Sequence, residues 1–541
     1  MICTDDRIAD FNVSELTRAS EIRSVVLGAG PLPLEDFVAV ARYRAELSFS
    51  PEYESRVQAS WALADRFLSE NRVVYGLTTG FGDNVRTIIP QEQARQLQVN
   101  ILRSHAVSVG KPLAEEAARA VWLMQLLSLG RGNSGISLKT LSLIRDCLNR
   151  GVTPIVPGEG SVQYLAVEAQ TNLVLIGEGR ATYRGEALSG GEALKKAGLQ
   201  PIELGPKEGL CLTNGANSAT ALAALALYDT AVAVQSADVA AAMFYEAYNG
   251  NTMACDPRLH SLKKQPEQAG VAANILQMLW DSGIAAKNRG VSVQDGLALR
   301  QTPQMQGAVK RFVKDAATSI LEEMASCSDN PVLWPEPDTE EGGLALMGAN
   351  FDGTYACGAA DMLCFAAANL GKLVERRVDK LTNRHFNAPY PPFLATEPGV
   401  DNGYMIVQYT AAGLINEIRG LSLPSTADSI PTCANWEDPV SMGWWAACKA
   451  YKVASKLSYM VAIEIMVLCR ALDLLRELSD LDKDAGALST LSREIHGLVR
   501  QVVPPVEGDR HFGPDIEEVY ALVRRGEVVR SAERVSGPLA F

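Results

Sequence analysis

The sequence predicts a mainly α-helical protein with a long central helical bundle and few short strands. Three observations carry that prediction. Residues 219–248, 307–326, 354–381, 404–421 and 440–475 are long segments with helical apolar periodicity. The last runs for more than thirty residues without proline, and such segments, apolar over much of their circumference, must be buried on several sides. Strand-like runs are confined to short stretches near residues 173–176 and 181–183. The chain divides on this reading into an N-terminal region, 1–215, a central bundle, 216–480, and a C-terminal helical region, 481–541.

Taken in order, the first fifty residues mix short apolar runs with turn formers. Pro31-Leu32-Pro33 and Ser50-Pro51 mark breaks. Pro51 then opens a helix, with Val57, Trp61, Ala64 and Phe67 at helical spacing. Gly76, Gly80 and Gly82 make the stretch Tyr75–Gly82 a loop, because a helix interior does not tolerate three glycines so close together. Helical patterns resume at 91–107, 115–129 and 137–150. Residues 151–160, with Pro154, Pro157 and three glycines, read as a loop. Short strands are expected at 173–176 and 181–183, around a turn at Gly177-Glu178-Gly179.

The chain has 541 residues, 47% hydrophobic and 21% charged, with a net charge of −13. That composition is ordinary for a globular protein and excludes disorder or a fibre. An acidic surface repels phosphate backbones, so no nucleic-acid partner is expected. The N-terminus is acidic and lacks a basic stretch followed by an apolar one, so no secretory signal is expected. The apolar stretch from 219 contains Asp229 and Asp238, which argues against a membrane span. None of the ten cysteines forms a CxxC pair. The expectation is a cytoplasmic protein in a reducing compartment, with no disulfides and no metal site.

Seven blocks go further than composition. They are Tyr75-Gly76-Leu77-Thr78-Thr79-Gly80-Phe81-Gly82; Arg103-Ser104-His105-Ala106; Lys207-Glu208-Gly209-Leu210 with Leu212-Thr213-Asn214-Gly215; Gln294-Asp295 with Leu299-Arg300; Asp329-Asn330-Pro331; Asn350-Phe351-Asp352-Gly353; and Asp428-Ser429-Ile430-Pro431-Thr432 with Glu437-Asp438 and Val440-Ser441-Met442-Gly443. In this order and spacing they resemble the histidine, phenylalanine and tyrosine ammonia-lyases and aminomutases. The stretch from Arg184 to Glu208 looks closest to bacterial phenylalanine aminomutase. The resemblance implies the ammonia-lyase fold and a homotetramer whose active sites combine residues of several chains.

The resemblance breaks at one place. In that family an Ala-Ser-Gly segment cyclises and dehydrates to a methylidene-imidazolone, the electrophile that assists departure of ammonia. Here Gly160-Ser161-Val162-Gln163-Tyr164-Leu165-Ala166 stands in its place, and no Ala-Ser-Gly is present. Ring closure needs a central Ser or Thr with small neighbours, so no cofactor is expected. Other positions depart as well: Leu297 where the family has Tyr, Trp436 where Gln is usual, Pro439 after Asp438, Asp352 in place of His, and Ala216 after Asn214-Gly215.

Candidate catalytic residues are Tyr75, Asn214 and Glu437. Tyr75 offers proton transfer from a loop, Asn214 an amide, and Glu437 a general base or an amine ligand. Candidate substrate-binding residues are His105, Gln294, Leu297, Arg300, Asn350, Phe351, Trp436 and Tyr164. Arg300 has the planar fork that suits a carboxylate, and Glu168 is a further candidate beside Tyr164. Bland alternatives stand beside each role: Arg300 pairing inside the bundle, Glu437 capping a helix, His105 as a satisfied core residue, Trp436 as filler.

The expected function is a cofactor-independent lyase or cyclase acting on an aromatic or unsaturated small molecule in bacterial specialised metabolism. Its substrate is either free or carrier-bound. Two alternatives accompany it: a non-catalytic homologue serving as a binding or partner subunit, and an ammonia-lyase or aminomutase with a different electrophile.

Overall fold

The computed structural model describes residues 9–336, 339–478 and 487–541. The N-terminal acidic stretch and the expected boundary at 480/481 lie outside the described residues. The protein is mostly helical, and its longest helices pack together as expected.

Asn217–Ala247 is the central helix, 31 residues long, and every one of them is buried. It contains no glycine or proline and is rich in alanine, the best helix former. Small side chains also let neighbours approach closely around its whole circumference. Gly443–Leu478, 36 residues long, packs along it. Thr354–Thr382 packs on Gly443–Leu478, and Thr302–Met324 and Met405–Leu421 pack on Thr354–Thr382. Two helical stretches are apolar enough to cross a bilayer by length and composition, but their apolar windows are 100% and 67% buried within the protein.

Several charges inside the bundle are paired. Asp238 meets Lys310 at 2.6 Å and Asp229 meets Arg42 at 2.7 Å. Lys449 lies 2.9 Å from Asp361, and Arg377 forms a two-pronged pair with Glu464, both side chains fully buried. These pairs neutralise Asp229 and Asp238, and Glu246 near the end of the same run accepts from the Ser282, Ser489 and Ser492 hydroxyls. An unpaired buried charge would cost several kcal/mol.

The strands are short. Ser24–Leu27 pairs in parallel with Glu46–Phe49. Val152–Pro154, Arg180–Tyr183 and Glu186–Ser189 form an antiparallel sheet, and Val332–Pro335 pairs with Gly343–Leu346. Three local expectations need correction. Leu173–Ile176 is a turn of 3-10 helix continuing from Ala166–Asn172. Its hydrogen bonds close locally, with the Gly177 and Glu178 N–H groups returning to the Val174 and Leu173 carbonyls. The hairpin turn is Arg184-Gly185, where both residues have positive φ as a tight primed turn requires, not Gly177–Gly179. The 151–160 stretch contains two strands, because Pro157–Glu159 pairs with Val109–Pro112 and Val152–Pro154 joins the sheet.

Candidate active site

Four segments from distant parts of the chain meet at one end of the bundle: the Tyr75 loop, residues 161–166, residues 350–353 and residues 428–442. Each is held by local bonds that its sequence dictates.

The Tyr75 loop is built by its threonines and glycines. Thr78 Oγ1 accepts from the Val74 N–H at 2.9 Å and donates to the Arg72 carbonyl at 2.7 Å. Gly76 has φ +67°, and a Cβ there would lie 2.4 Å from Leu210 Cδ2, so only glycine fits. Gln98 donates to the Gly76 carbonyl at 2.9 Å. The Tyr75 hydroxyl accepts from the Gly82 N–H at 2.9 Å. Burial pushes the Tyr75 phenol above its ordinary range, the Gly82 N–H partly offsets this, and the proximity of Cys433 and Glu437 adds to it.

Residues 161–166 are tied to the 350–353 and 428–442 segments. Gln163 donates to the Phe351 carbonyl at 2.6 Å and accepts from the Ser441 hydroxyl. The Trp444 N–H donates to the Val162 carbonyl at 3.1 Å, tying the segment to the start of the longest helix. Tyr164 is buried, packs edge-on against the Phe351 ring with centroids 5.2 Å apart, and donates its phenol to Glu437 Oε2 at 3.2 Å. Burial first, then Glu437, raises the Tyr164 phenol far above its usual range.

Glu437 is the centre of the arrangement. Its Oε2 also accepts from Thr432 Oγ1 at 3.0 Å, and Thr432 and Glu437 pair through their backbones. Glu437 sits in this loop, not at the start of a helix, which begins at Gly443; the helix-capping alternative is therefore set aside. His105 ends the Ala94–His105 helix, and its Nδ1 lies 2.9 Å from Ser104 Oγ. Burial lowers its pKa and the nearby Glu437 carboxylate partly offsets that. Trp436 is half exposed and donates its indole N–H to Asp83 at 2.5 Å.

The remaining sequence candidates divide. Phe351 belongs to the cluster, and Asn350 is exposed next to it. Asn214 is buried, and its amide hydrogens go to Asp329 Oδ1 at 3.1 Å and the Asn330 carbonyl at 2.9 Å. That places it with the buried Lys207–Asp329 pair, 2.6 Å apart. Gln294, Leu297 and Arg300 lie elsewhere: Arg300 Nε donates to the Asp295 carbonyl at 2.8 Å, and Asp295 accepts from the Asn251 N–H at 2.6 Å. Among the described residues, no hydrogen bond, ion pair or ring contact joins these three to the Glu437 cluster.

Sequence reasoning missed Thr432, Gln163, Asp83 and Glu323. Thr432 and Gln163 stand inside motifs already noted and were legible as neighbours of candidates. Asp83 and Glu323 carry no local signal. Glu323, on the Thr302–Met324 helix, is pushed up to about 7 by burial and by the Asp352 carboxylate. Glu168, fully buried, is also raised to about 7 by burial despite accepting the Ser218 N–H at 2.8 Å.

A half-buried carboxylate held by two hydroxyl donors, near a phenol on a glycine loop and an imidazole, is a set of groups suited to acid–base chemistry on a small molecule. The chain belongs to the aromatic amino acid lyase family, whose sequence pattern matches residues 32–501. It is 40% identical to a histidine ammonia-lyase of Symbiobacterium thermophilum over 96% of this chain and 100% of that one. Its fold is similar to histidine ammonia-lyase from Trypanosoma cruzi, with TM-score 0.86, 33% identity and 95% of each chain covered. It is also similar to tyrosine aminomutase from Streptomyces globisporus, with TM-score 0.87, 30% identity and 96% of this chain and 100% of that one covered.

This similarity overturns the expectation of a cofactor-independent lyase or cyclase. Identity of 39–40% over 95–96% of the chain places it beside proteins named histidine ammonia-lyase. The sequence between Gly160 and Asn172 nevertheless holds no Ala-Ser-Gly. Tyr164-Leu165-Ala166 forms a tight turn, with Leu165 at φ +74° and ψ −68° and the Ala166 N–H bonded to the Tyr164 carbonyl at 3.0 Å. Its central leucine has no β-hydroxyl to lose. Tyr164-Leu165-Ala166 do not fit the heterocycle.

Proposed function

We propose that the protein is an ammonia-lyase-type enzyme for a free α-amino acid with a basic or polar ring, histidine first among them. The observation that carries this reading is Glu437. The Tyr164 and Thr432 hydroxyls hold one of its oxygens, and its charge acts on both Tyr75 and His105. The Asp352 carboxylate adds negative potential at Tyr164. A cationic imidazole or ammonium is favoured in such a pocket. Burial lowers the His105 pKa, which disfavours a competing positive charge there.

In this reaction the Cα–N bond and one Cβ–H bond break, a Cα–Cβ double bond forms, and ammonia leaves. Tyr75 is placed to accept the β-proton once ionised; the Gly82 N–H on its oxygen favours the anion and partly offsets the burial that raises the phenol. Glu437 orients the ring or holds the ammonium. The product is an unsaturated acid conjugated with the ring, which absorbs in the near ultraviolet.

We also propose that the active unit is a homotetramer. Gln294, Leu297 and Arg300 lie apart from Glu437 within one chain, so a carboxylate-binding arginine would have to come from another copy. Tyr355, Met362 and Phe365 are exposed along one face of Thr354–Thr382, with Ile406 and Tyr409 exposed on the neighbouring helix. An apolar stripe of that kind is characteristic of a subunit interface.

The test is direct. Purified protein is incubated with L-histidine, L-phenylalanine and L-tyrosine, with ammonia and ultraviolet absorbance followed together. Stoichiometric release from histidine in preference to the others supports the reading. No ammonia from any of the three, with protein at substrate-like concentration, overturns it. Light scattering during size-exclusion chromatography reads the subunit number.

A further inference from the structure

Residues 79–88 form a small hairpin bridged at Thr79–Ile88, with a 3-10 turn at Gly82–Arg86, largely exposed from Asp83 onward. The Gly80 N–H bonds to the Thr87 carbonyl at 3.0 Å and the Ile89 N–H to the Thr78 carbonyl at 2.9 Å. Asn84, Arg86, Thr87 and Ile88 are exposed. Its tip touches the 433–436 loop. That loop is itself held in an uncommon conformation, with Cys433, Ala434 and Asn435 at φ +50°, +53° and +68°. Three consecutive non-glycine residues in the left-handed region persist only where surrounding contacts impose them.

Two contacts do so. The Trp436 indole N–H reaches 353 residues back along the chain to Asp83 Oδ1 at 2.5 Å. Cys433 Sγ sits where a Cβ on Gly82 would be, 2.4 Å from that position, and Gly82 has φ +54°. The Gly82 N–H is the donor that fixes the Tyr75 hydroxyl. The chain of contacts therefore runs from Trp436 through Asp83 and Gly82 to the phenol of Tyr75.

We propose that the Trp436–Asp83 hydrogen bond latches the 79–88 hairpin over the site, making Trp436 and Asp83 positioning residues for the Tyr75 hydroxyl. The bond is charge-assisted and short, so it is among the stronger kinds of side-chain contact. It is also exposed and joins two loops, so it opens locally without unfolding the bundle. Opening moves Gly82 away and frees the phenol; closing fixes the phenol toward Glu437. The latch does not depend on which amino acid the pocket takes.

Limited proteolysis of the full-length protein, without substrate, reads the latch through trypsin cleavage after Arg86, with fragments identified by mass. Trp436→Phe keeps the ring and removes the N–H; Asp83→Ala removes the acceptor; Asp83→Asn keeps an acceptor oxygen. Cleavage about tenfold faster is expected for the first two, from the loss of one charge-assisted bond. Asp83→Asn keeps an acceptor but loses the charge, so its cleavage should fall between, about threefold faster than native. Native cleavage rates for Trp436→Phe and Asp83→Ala would overturn the latch, and Asp83→Asn cleaving as fast as Asp83→Ala would overturn the hydrogen bond as its cause. Thermal melting of each variant distinguishes local opening from global unfolding: the melting temperature should match that of the native protein, and a general fall would overturn the local account. Where substrate turnover is measured, the latch variants should lower kcat more than they raise KM, because they displace the proton acceptor and leave Glu437 in place.

Discussion

The phenol of Tyr164 donates to Glu437 Oε2 across 3.2 Å, joining residues 273 positions apart in sequence. Thr432 donates to the same oxygen at 3.0 Å. The carboxylate is thus oriented from both sides, and its binding role is open to measurement. Glu437→Gln is expected to raise KM for histidine about tenfold or more, the worth of a hydrogen bond to a charged group. Tyr164→Phe, which only loosens the carboxylate, should raise it about threefold, within the range of a neutral donor's net contribution. Steady-state kinetics or titration calorimetry checks both. Native affinity in Glu437→Gln would remove Glu437 from substrate contact.

Glu168 predicts a pH dependence of stability. Its folded pKa is about 7 against an ordinary 4.5, chiefly because of burial. A group whose pKa is raised on folding favours the folded state below its unfolded value. That advantage is lost as pH rises toward the folded value. The native protein should therefore lose about 3 kcal/mol from this group between roughly pH 4.5 and 7, and little more above it. Glu168→Gln removes the slope. Its melting temperature should gain on the native one progressively across that window and then run parallel. Parallel curves from pH 4 upward would contradict the assignment.

Leu165 adopts φ +74° and ψ −68° at the centre of a three-residue turn. A β-carbon is disfavoured there, and such conformations cost about 1–3 kcal/mol. Leu165→Gly should raise the melting temperature, the relief of strain outweighing the added entropy of the unfolded glycine. Leu165→Ala retains the β-carbon and should not. A melting temperature lowered equally by both substitutions would mean the turn is not strained.

Arg377 and Glu464 face each other deep in the bundle, both fully buried. Arg377 also donates to Gln306 at 2.7 Å. Arg377→Met alone leaves a carboxylate unpaired and should cost about 3–5 kcal/mol. The double variant Arg377→Met with Glu464→Met should recover most of that loss. Chemical denaturation of the single and double variants measures the coupling. An additive result would mean the two charges do not depend on each other.

The long helices were legible in the sequence because their signal is local. Residues 217–247 carry no helix breaker, and 443–478 repeat apolar residues at helical spacing over ten turns' worth of chain. The turn residues were less so. Leu173–Ile176 has the composition of a strand, yet helix Ala166–Asn172 runs into it and Gly177 stops it. Apolar runs that short do not separate strand from helix by pattern alone.

By itself the sequence determined the helical class, the collinear blocks, and the presence of Tyr75, His105 and Glu437 as chemically capable groups. Only the tertiary structure decided which of these meet. It brought Tyr75, Tyr164, Phe351 and Glu437 together, gave Asn214 to the Asp329 turn, and left Gln294, Leu297 and Arg300 on a different part of the chain. The reason is range. Helix propensity and turn chemistry act over a few residues, whereas the meeting of residues hundreds of positions apart depends on how buried helices pack, and no stretch of sequence states that locally.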